Sequence, residues 1–182
     1  SHDVQRIERL ITDYSQILKD EVALSKEKFK RIDIVPIILS VVDDYNNIYN
    51  AKSGIRIFCK NDGDKNYIIY GIENRIEQIA ANLLDNAISF SNDNQNIEVK
   101  ITKNFKKQVV VNIIDEGPGF KERDTTKLFK RFYSNRPDKF GQHSGLGLNI
   151  VKNLVELHNA TITASNRLDK SGANLEIIFP KS

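Results

Sequence analysis

Residues 109 to 120 read VVVNIIDEGPGF. Five of the first six are apolar, so the run predicts a buried strand, and it stops at Asp115. Gly117 and Gly119 flank Pro118 at once, which predicts a sharp change of chain direction. A carboxylate at the end of a buried strand is unfavourable unless donors meet it. An amino group on a heterocycle is one such donor, and two glycines would let the backbone pass a flat ligand with no Cβ in the way. A tight turn closed by an acid would read the same.

The sequence on both sides alternates between strand and helix patterns. A strand over 97 to 103 joins the first through Asn104-Phe105-Lys106-Lys107, a hairpin. Before it, a helix from about 73 to 91 turns Ile76, Ile79, Leu83, Ala87 and Phe90 toward a core. Upstream lie a short strand over FKRIDI, a helix opened by Pro36 with Ile37, Ile38, Val41, Val42, Tyr45 and Ile48 on its apolar side, and strands at 55 to 60 and 67 to 70. Cys59 alternates with exposed positions and is expected to point inward as a small core residue. Downstream come a helix from 145 to 158 and strands at 161 to 165 and 175 to 179. The sum is an α/β two-layer sandwich, with helices on one face of a mixed, mostly antiparallel sheet. Residues 3 to about 28 add an N-terminal helix with Ile7, Leu10, Tyr14, Ile17 and Leu24 in heptad-like spacing, which fits a bundle or dimer element.

Composition narrows the class. The chain has 182 residues, 40% hydrophobic and 28% charged, enough for a real core. Its formal charge of +3 includes no dense basic block, so nucleic acid is not an expected partner. One cysteine excludes an internal disulfide framework, and no segment has the pattern of a signal peptide or an apolar span.

Two further clusters suggest chemistry. On the helix 73 to 91, Gln78, Asn82 and Asn86 recur four residues apart and share a face. Asparagine is a mediocre helix former. A solvated polar face would explain the pair, and so would neutral oxygens that coordinate a hard cation beside phosphates. SGLGLNIV (144 to 151) starts a helix with two glycines. Its exposed amides and dipole would suit phosphate oxygens, although glycines also serve a tight turn. Between Glu116 and Ser144 no periodicity is visible, and a connection of that length in a small domain reads as a lid or binding loop.

Taken together and in order, NLLDNA (82 to 87), DEGPGF (115 to 120), LFKRFYS (128 to 134) and SGLGLNIV resemble the N, G1, F and G2 boxes of sensor histidine kinases. Within that family, RFYSNRPDKFGQHSGLGL and the N-terminal HDVQRIERLITDYS are similar to the ChvG-like members. The resemblance implies a Bergerat (GHKL) ATP-binding fold over residues 29 to 182, with a lid at about 121 to 144. It implies that Asp115 receives the adenine amino group, that Asn82 holds Mg²⁺ and that Asn86 supports the phosphates. Ser89 and Phe90 would lie beside them, and Gly117, Gly119 and Phe120 would line the base. Gly145, Leu146, Gly147 and Leu148 would form the phosphate-facing turn. Phe129 and Phe132 would anchor the lid, and Lys130, Arg131 or Arg136 would bring charge to the γ-phosphate. The implied partners are ATP, a histidine-bearing dimerisation helix of the same protein, a response regulator and a second copy in a homodimer. The implied location is the cytoplasmic side of an inner-membrane-anchored bacterial sensor.

The departures from that pattern matter. Ser89 stands where many members carry Lys or Arg, Ala173-Asn174 replaces a common hydroxyl pair, and Asn159 replaces a glycine in a left-handed position. No histidine is followed by the acceptor box: His2 opens what resembles the second hairpin helix, His143 falls in the lid, and His158 ends a helix, where capping suffices. Residues 1 to 28 therefore resemble half of a dimerisation hairpin, and the acceptor is expected elsewhere. A water-activating ATPase of the same superfamily is the main rival. It would carry a glutamate where this chain has Gln78, which cannot act as a base. A non-catalytic ATP-dependent binding module is the third reading.

Overall fold

A computed structural model describes residues 28–64, 66–121, 123–130 and 147–182. The expected N-terminal helix, except for its last residue, lies outside these residues, as do Phe132 and most of the expected lid.

A strand β1 (Lys30–Asp33) runs into helix α1 (Ile34–Ser53). The helix starts two residues before Pro36 because Asp33 caps it, its carboxylate accepting from Val35 N–H at 3.0 Å. Pro36 is tolerated in the first turn, where its missing N–H would find no helical partner anyway. Gly54 closes the helix in the left-handed conformation. Ile37, Ile38 and Val42 are buried as expected, but Ile48 is 59% exposed. Its neighbour Tyr49 packs on the core instead.

Strands β2 (Arg56–Asn61) and β3 (Ile68–Gly71) precede helix α2 (Glu73–Ser89). Then follow β4 (Asn96–Lys103), β5 (Val109–Ile114), a 3-10 helix (Thr125–Phe129), helix α3 (Gly147–Leu157), β6 (Thr161–Asn166) and β7 (Ala173–Ile178). The main sheet runs β2-β4-β5-β7-β6, parallel only between β2 and β4. β1 and β3 form a separate antiparallel ribbon. The mixed, mostly antiparallel sheet is the one expected. Among the described residues no helix is long and apolar enough to cross a membrane.

Alternation decides which face is covered. Ile97, Val99 and Ile101 of β4 and Val109, Val111 and Ile113 of β5 face inward with Leu175 and Ile177 of β7. Ile76, Ile79, Leu83 and Leu84 of α2 close over them, with Val151, Leu154 and Val155 of α3 alongside. Burying each such side chain stabilises the fold by about 2 kcal/mol. Cys59 is half-buried against this core, and burial, then the charge of Asp43, raises its thiol pKa to about 11. That makes it inert, as the sequence suggested. α2 is the middle helix and contacts both α1 and α3. Arg75, Gln78, Asn82 and Asn86 share one side of it by helical spacing.

Candidate nucleotide-binding site

Asp115 is one residue past β5 and 3% exposed. Its Oδ1 accepts from the amide N–H of Gly117 at 3.0 Å and from that of Ala173 at 3.1 Å. Two backbone donors on one oxygen fix the plane of the carboxylate and offset its desolvation. The loop then runs against the end of α2. A Cβ at Gly117 would collide with the carbonyl oxygen of Phe90, the buried residue that ends α2. Gly119 has φ 79, and Phe120 is buried in the core beyond it. The carboxylate is thus pinned where strand β5, the loop and the foot of α2 meet.

From that foot, distances along α2 set out a second feature. With a rise of about 1.5 Å per residue, Asn86 lies about 6 Å and Asn82 about 12 Å up the axis from Phe90. Asn86 is 3% exposed, and among the described residues its Nδ2 is the buried side-chain polar atom with no hydrogen-bond partner. Orphaned buried donors are costly, so the position calls for a polar partner, a water or a ligand. Asn82 is half-buried one turn further up. Ser89 is half-buried too, but its Oγ donates to the Asn86 carbonyl at 2.7 Å, satisfying itself within the helix. Continuing up the same side, Arg75 is only 6% exposed and donates to Gln78 Oε1 at 3.3 Å.

The root of the expected lid is ordered by contacts that the sequence did not reveal. Asp124 caps the 3-10 helix, and Phe129 is buried at its end. Asn149 of α3 donates to the Phe129 carbonyl at 3.2 Å, and the Lys152 ammonium lies 5.5 Å from the centre of the Phe129 ring. Lys130 is exposed at the start of the following segment. At the first turn of α3, Gly147 is half-buried and Leu148 buried. Arg131, Arg136, Gly145 and Leu146 lie outside the described residues, as do His2 and His143.

The structure therefore brings Asp115, Gly117, Phe90, Asn86 and Asn82 to one side of α2. At Ala173-Asn174, where the hydroxyl pair is replaced, both residues are engaged within the fold. Ala173 serves Asp115 through its main chain, which needs no hydroxyl, and the Asn174 side chain accepts from Asn112 Nδ2 at 3.0 Å. Asn159 adopts φ 56, the left-handed geometry expected of it. Arg75, Asn149 and the hairpin after β6 carried no sequence signal. Asn149 and much of the hairpin bond main-chain atoms, which every residue possesses, while Arg75 bonds the Gln78 side chain.

A carboxylate pinned at a strand end, an orphaned buried carboxamide one turn before the end of α2 and a helix that starts at a glycine stand together in one α/β two-layer domain. Residues 71–182 match the model of the histidine kinase-, DNA gyrase B-, and HSP90-like ATPase family, and the chain belongs to that family. It is 35% identical over 178 residues to the sensor protein ChvG of Rhizobium meliloti (strain 1021), an alignment spanning 94% of this chain and 31% of that protein. The chain thus spans about a third of the length of that relative. The nucleotide-free catalytic domain of the histidine kinase ThkA superposes with a TM-score of 0.72 at 24% identity, covering 85% of this chain and 96% of that one. ThkA in complex with the response regulator protein TrrA superposes with a TM-score of 0.78 at 24% identity, covering 98% and 49% of the two chains. The fold is that of a histidine-kinase catalytic domain.

Proposed function

We propose that this chain binds ATP with Mg²⁺ and transfers the γ-phosphoryl group to a histidine on a dimerisation helix of the sensor kinase from which it comes. The observation that carries the reading is the orphaned, buried Nδ2 of Asn86, about 6 Å along α2 from the loop that Asp115 anchors. That offset suits a ligand with a purine at one end and phosphates at the other.

In this reading Asp115 accepts the adenine amino group, with Gly117 keeping the backbone close and Phe120 fixing the loop in the core. Asn82 and Asn86 together fit a hard cation and its phosphates. A carboxamide can turn end for end, so the unpartnered end of Asn86 can present oxygen to a metal or N–H to a phosphate. Both are neutral, so they add no negative charge beside the triphosphate. Mg²⁺ bound there would offset phosphate charge, the main requirement of phosphoryl transfer. The first turn of α3, including Gly147 and Leu148 with Gly145 and Leu146 before it, faces the phosphates through its amides. Lys130, Arg131 or Arg136 supplies the cation at the terminal phosphate. Gln78 supports transfer over hydrolysis, because an amide whose oxygen is already engaged by Arg75 cannot deprotonate water.

The domain limits, a dimerising helix within residues 1 to 28 and an ATP-binding unit over 29 to 182, belong to the same proposal. So do a homodimer, a response-regulator partner and a membrane anchor elsewhere in the full protein. Mixing the chain with a dimerisation hairpin that carries the acceptor histidine, plus γ-labelled ATP and Mg²⁺, tests the reaction. Acid-labile label on the hairpin is the expected result. Release of inorganic phosphate alone would make the chain an ATPase, and ATP binding with neither product would make it a binding module.

A further inference from the structure

The base-binding loop cannot hold its own shape. Between Asp115 and Phe120 it has two glycines, a proline and no regular structure, and such a segment loses much entropy when fixed. We infer that the β6–β7 hairpin, residues 166–172, is a clamp that sets the geometry of this loop, and that Asn166 and Ser171 are positioning residues for nucleotide selection. The inference rests on the reading of Asp115 as the adenine acceptor.

The clamp grips the loop at nearly every residue. Asn166 closes a two-bond pair on Phe120: its Oδ1 accepts from the Phe120 N–H at 2.6 Å, and its Nδ2 donates to the Phe120 carbonyl at 3.0 Å. Arg167 donates from its guanidinium to the Asp115 carbonyl at 3.2 Å while Asp169 holds its other nitrogens. Lys170 pairs with the Glu116 carboxylate at 2.6 Å. Ser171 Oγ donates to the Gly117 carbonyl at 2.7 Å. The fit is close enough to exclude side chains. A Cβ at Gly119 would lie 2.6 Å from Asn166 Oδ1, and one at Gly172, which has φ 146, would collide with the Asp115 carbonyl. The hairpin closes on itself through Arg167 N–H to the Gly172 carbonyl at 2.9 Å, which ties its two ends together.

Apart from the Lys170–Glu116 pair, these contacts reach main-chain atoms of the loop. Their chemical consequence is selectivity. Adenine offers an amino donor to Asp115 where guanine offers a carbonyl oxygen, and a carboxylate repels that oxygen only while it cannot swing aside. A loosened loop lets the carboxylate move, so it loses discrimination as well as affinity. A residue that merely stabilised the fold would not change the ratio between two purines.

The test is calorimetric titration of the 182-residue chain and its Asn166→Ala, Ser171→Ala and Ser171→Thr variants with ATP and with GTP, each in Mg²⁺. Ser171 is exposed, so its variants keep the fold and decide the matter even if Asn166→Ala does not express. Ser171→Ala is expected to bind ATP about fivefold more weakly and to show a smaller ATP-over-GTP preference, and Ser171→Thr to restore both because it keeps the hydroxyl. Asn166→Ala is expected to shift both quantities further. Parental affinity and parental preference in Ser171→Ala would overturn the clamp alone, as would a weaker ATP affinity with an unchanged preference. A parent chain that bound neither nucleotide would overturn the functional reading and the clamp with it.

Discussion

At Asp115, substitution by asparagine tests the site with almost no change of shape. The amide keeps one oxygen, which can still accept from Gly117 and Ala173. In the proposed complex its nitrogen would meet the adenine amino group donor to donor, at a buried position. Asp115→Asn is expected to weaken ATP binding about 10- to 100-fold while the unfolding midpoint stays near that of the parent, as calorimetry and urea titration would show. Asp115 was legible in the sequence because a carboxylate ending an apolar run needs donors. Asn166 was not, since it serves Phe120 across 46 positions through backbone atoms that carry no residue signature. Arg75 was hidden differently. An arginine at helical spacing reads as solvated surface, yet here it is nearly buried and spends a donor on Gln78. Ser89 reverses the case, because its place in the motif pointed to the nucleotide while its hydroxyl bonds its own helix.

The elements were legible wherever a period had room to repeat. α2 is 17 residues long, and its apolar positions recur through several turns. The 3-10 helix, with 5 residues, is too short for its period to repeat, so the stretch looked structureless. Helix ends followed local chemistry instead. At α1, Pro36 suggested a start that Asp33 moved earlier by capping Val35. Asp33→Ala removes an exposed cap outside the proposed nucleotide site, so it is expected to cost about 1 kcal/mol of stability. A urea midpoint that falls while ATP affinity holds would match; a fall in ATP affinity would mean that α1 transmits strain to the site. α2 has no such cap, since Ile72 makes no side-chain bond there. Its first amide is served from another element.

That service links the ends of the molecule. His158, just past α3, lies 86 positions from Ile72, and its Nε2 accepts the Ile72 N–H at 3.1 Å while Nδ1 donates to the Leu154 carbonyl at 2.7 Å. The sequence anticipated the second contact, the helix cap, but nothing in it could show the first. The pair of bonds requires the neutral ring with its proton on Nδ1. Phe29 and Phe179 stand edge-on to that ring, and a Cβ at Gly71 would lie 2.9 Å from it, so water has little room to solvate a charge. Burial accordingly holds the His158 pKa below its usual value. The sign of the consequence follows by linkage. The unfolded chain takes up the proton more readily than the folded one, so stability is complete above about pH 6.5 and declines as pH falls toward the depressed folded value. Protonation would also set an Nε2–H against the Ile72 N–H, freeing the start of α2. The carboxylates held low by their partners, Asp62 by Tyr67 and Glu116 by Lys170, weaken the fold only in more acidic solution, so they do not blur this window. Urea midpoints measured at pH 7.5 and pH 5.5 are therefore expected to drop for the parent and to change less for His158→Gln, whose amide can still accept from Ile72 without taking up a proton. Equal acid sensitivity in the two proteins would show that a different group joins α3 to the start of α2.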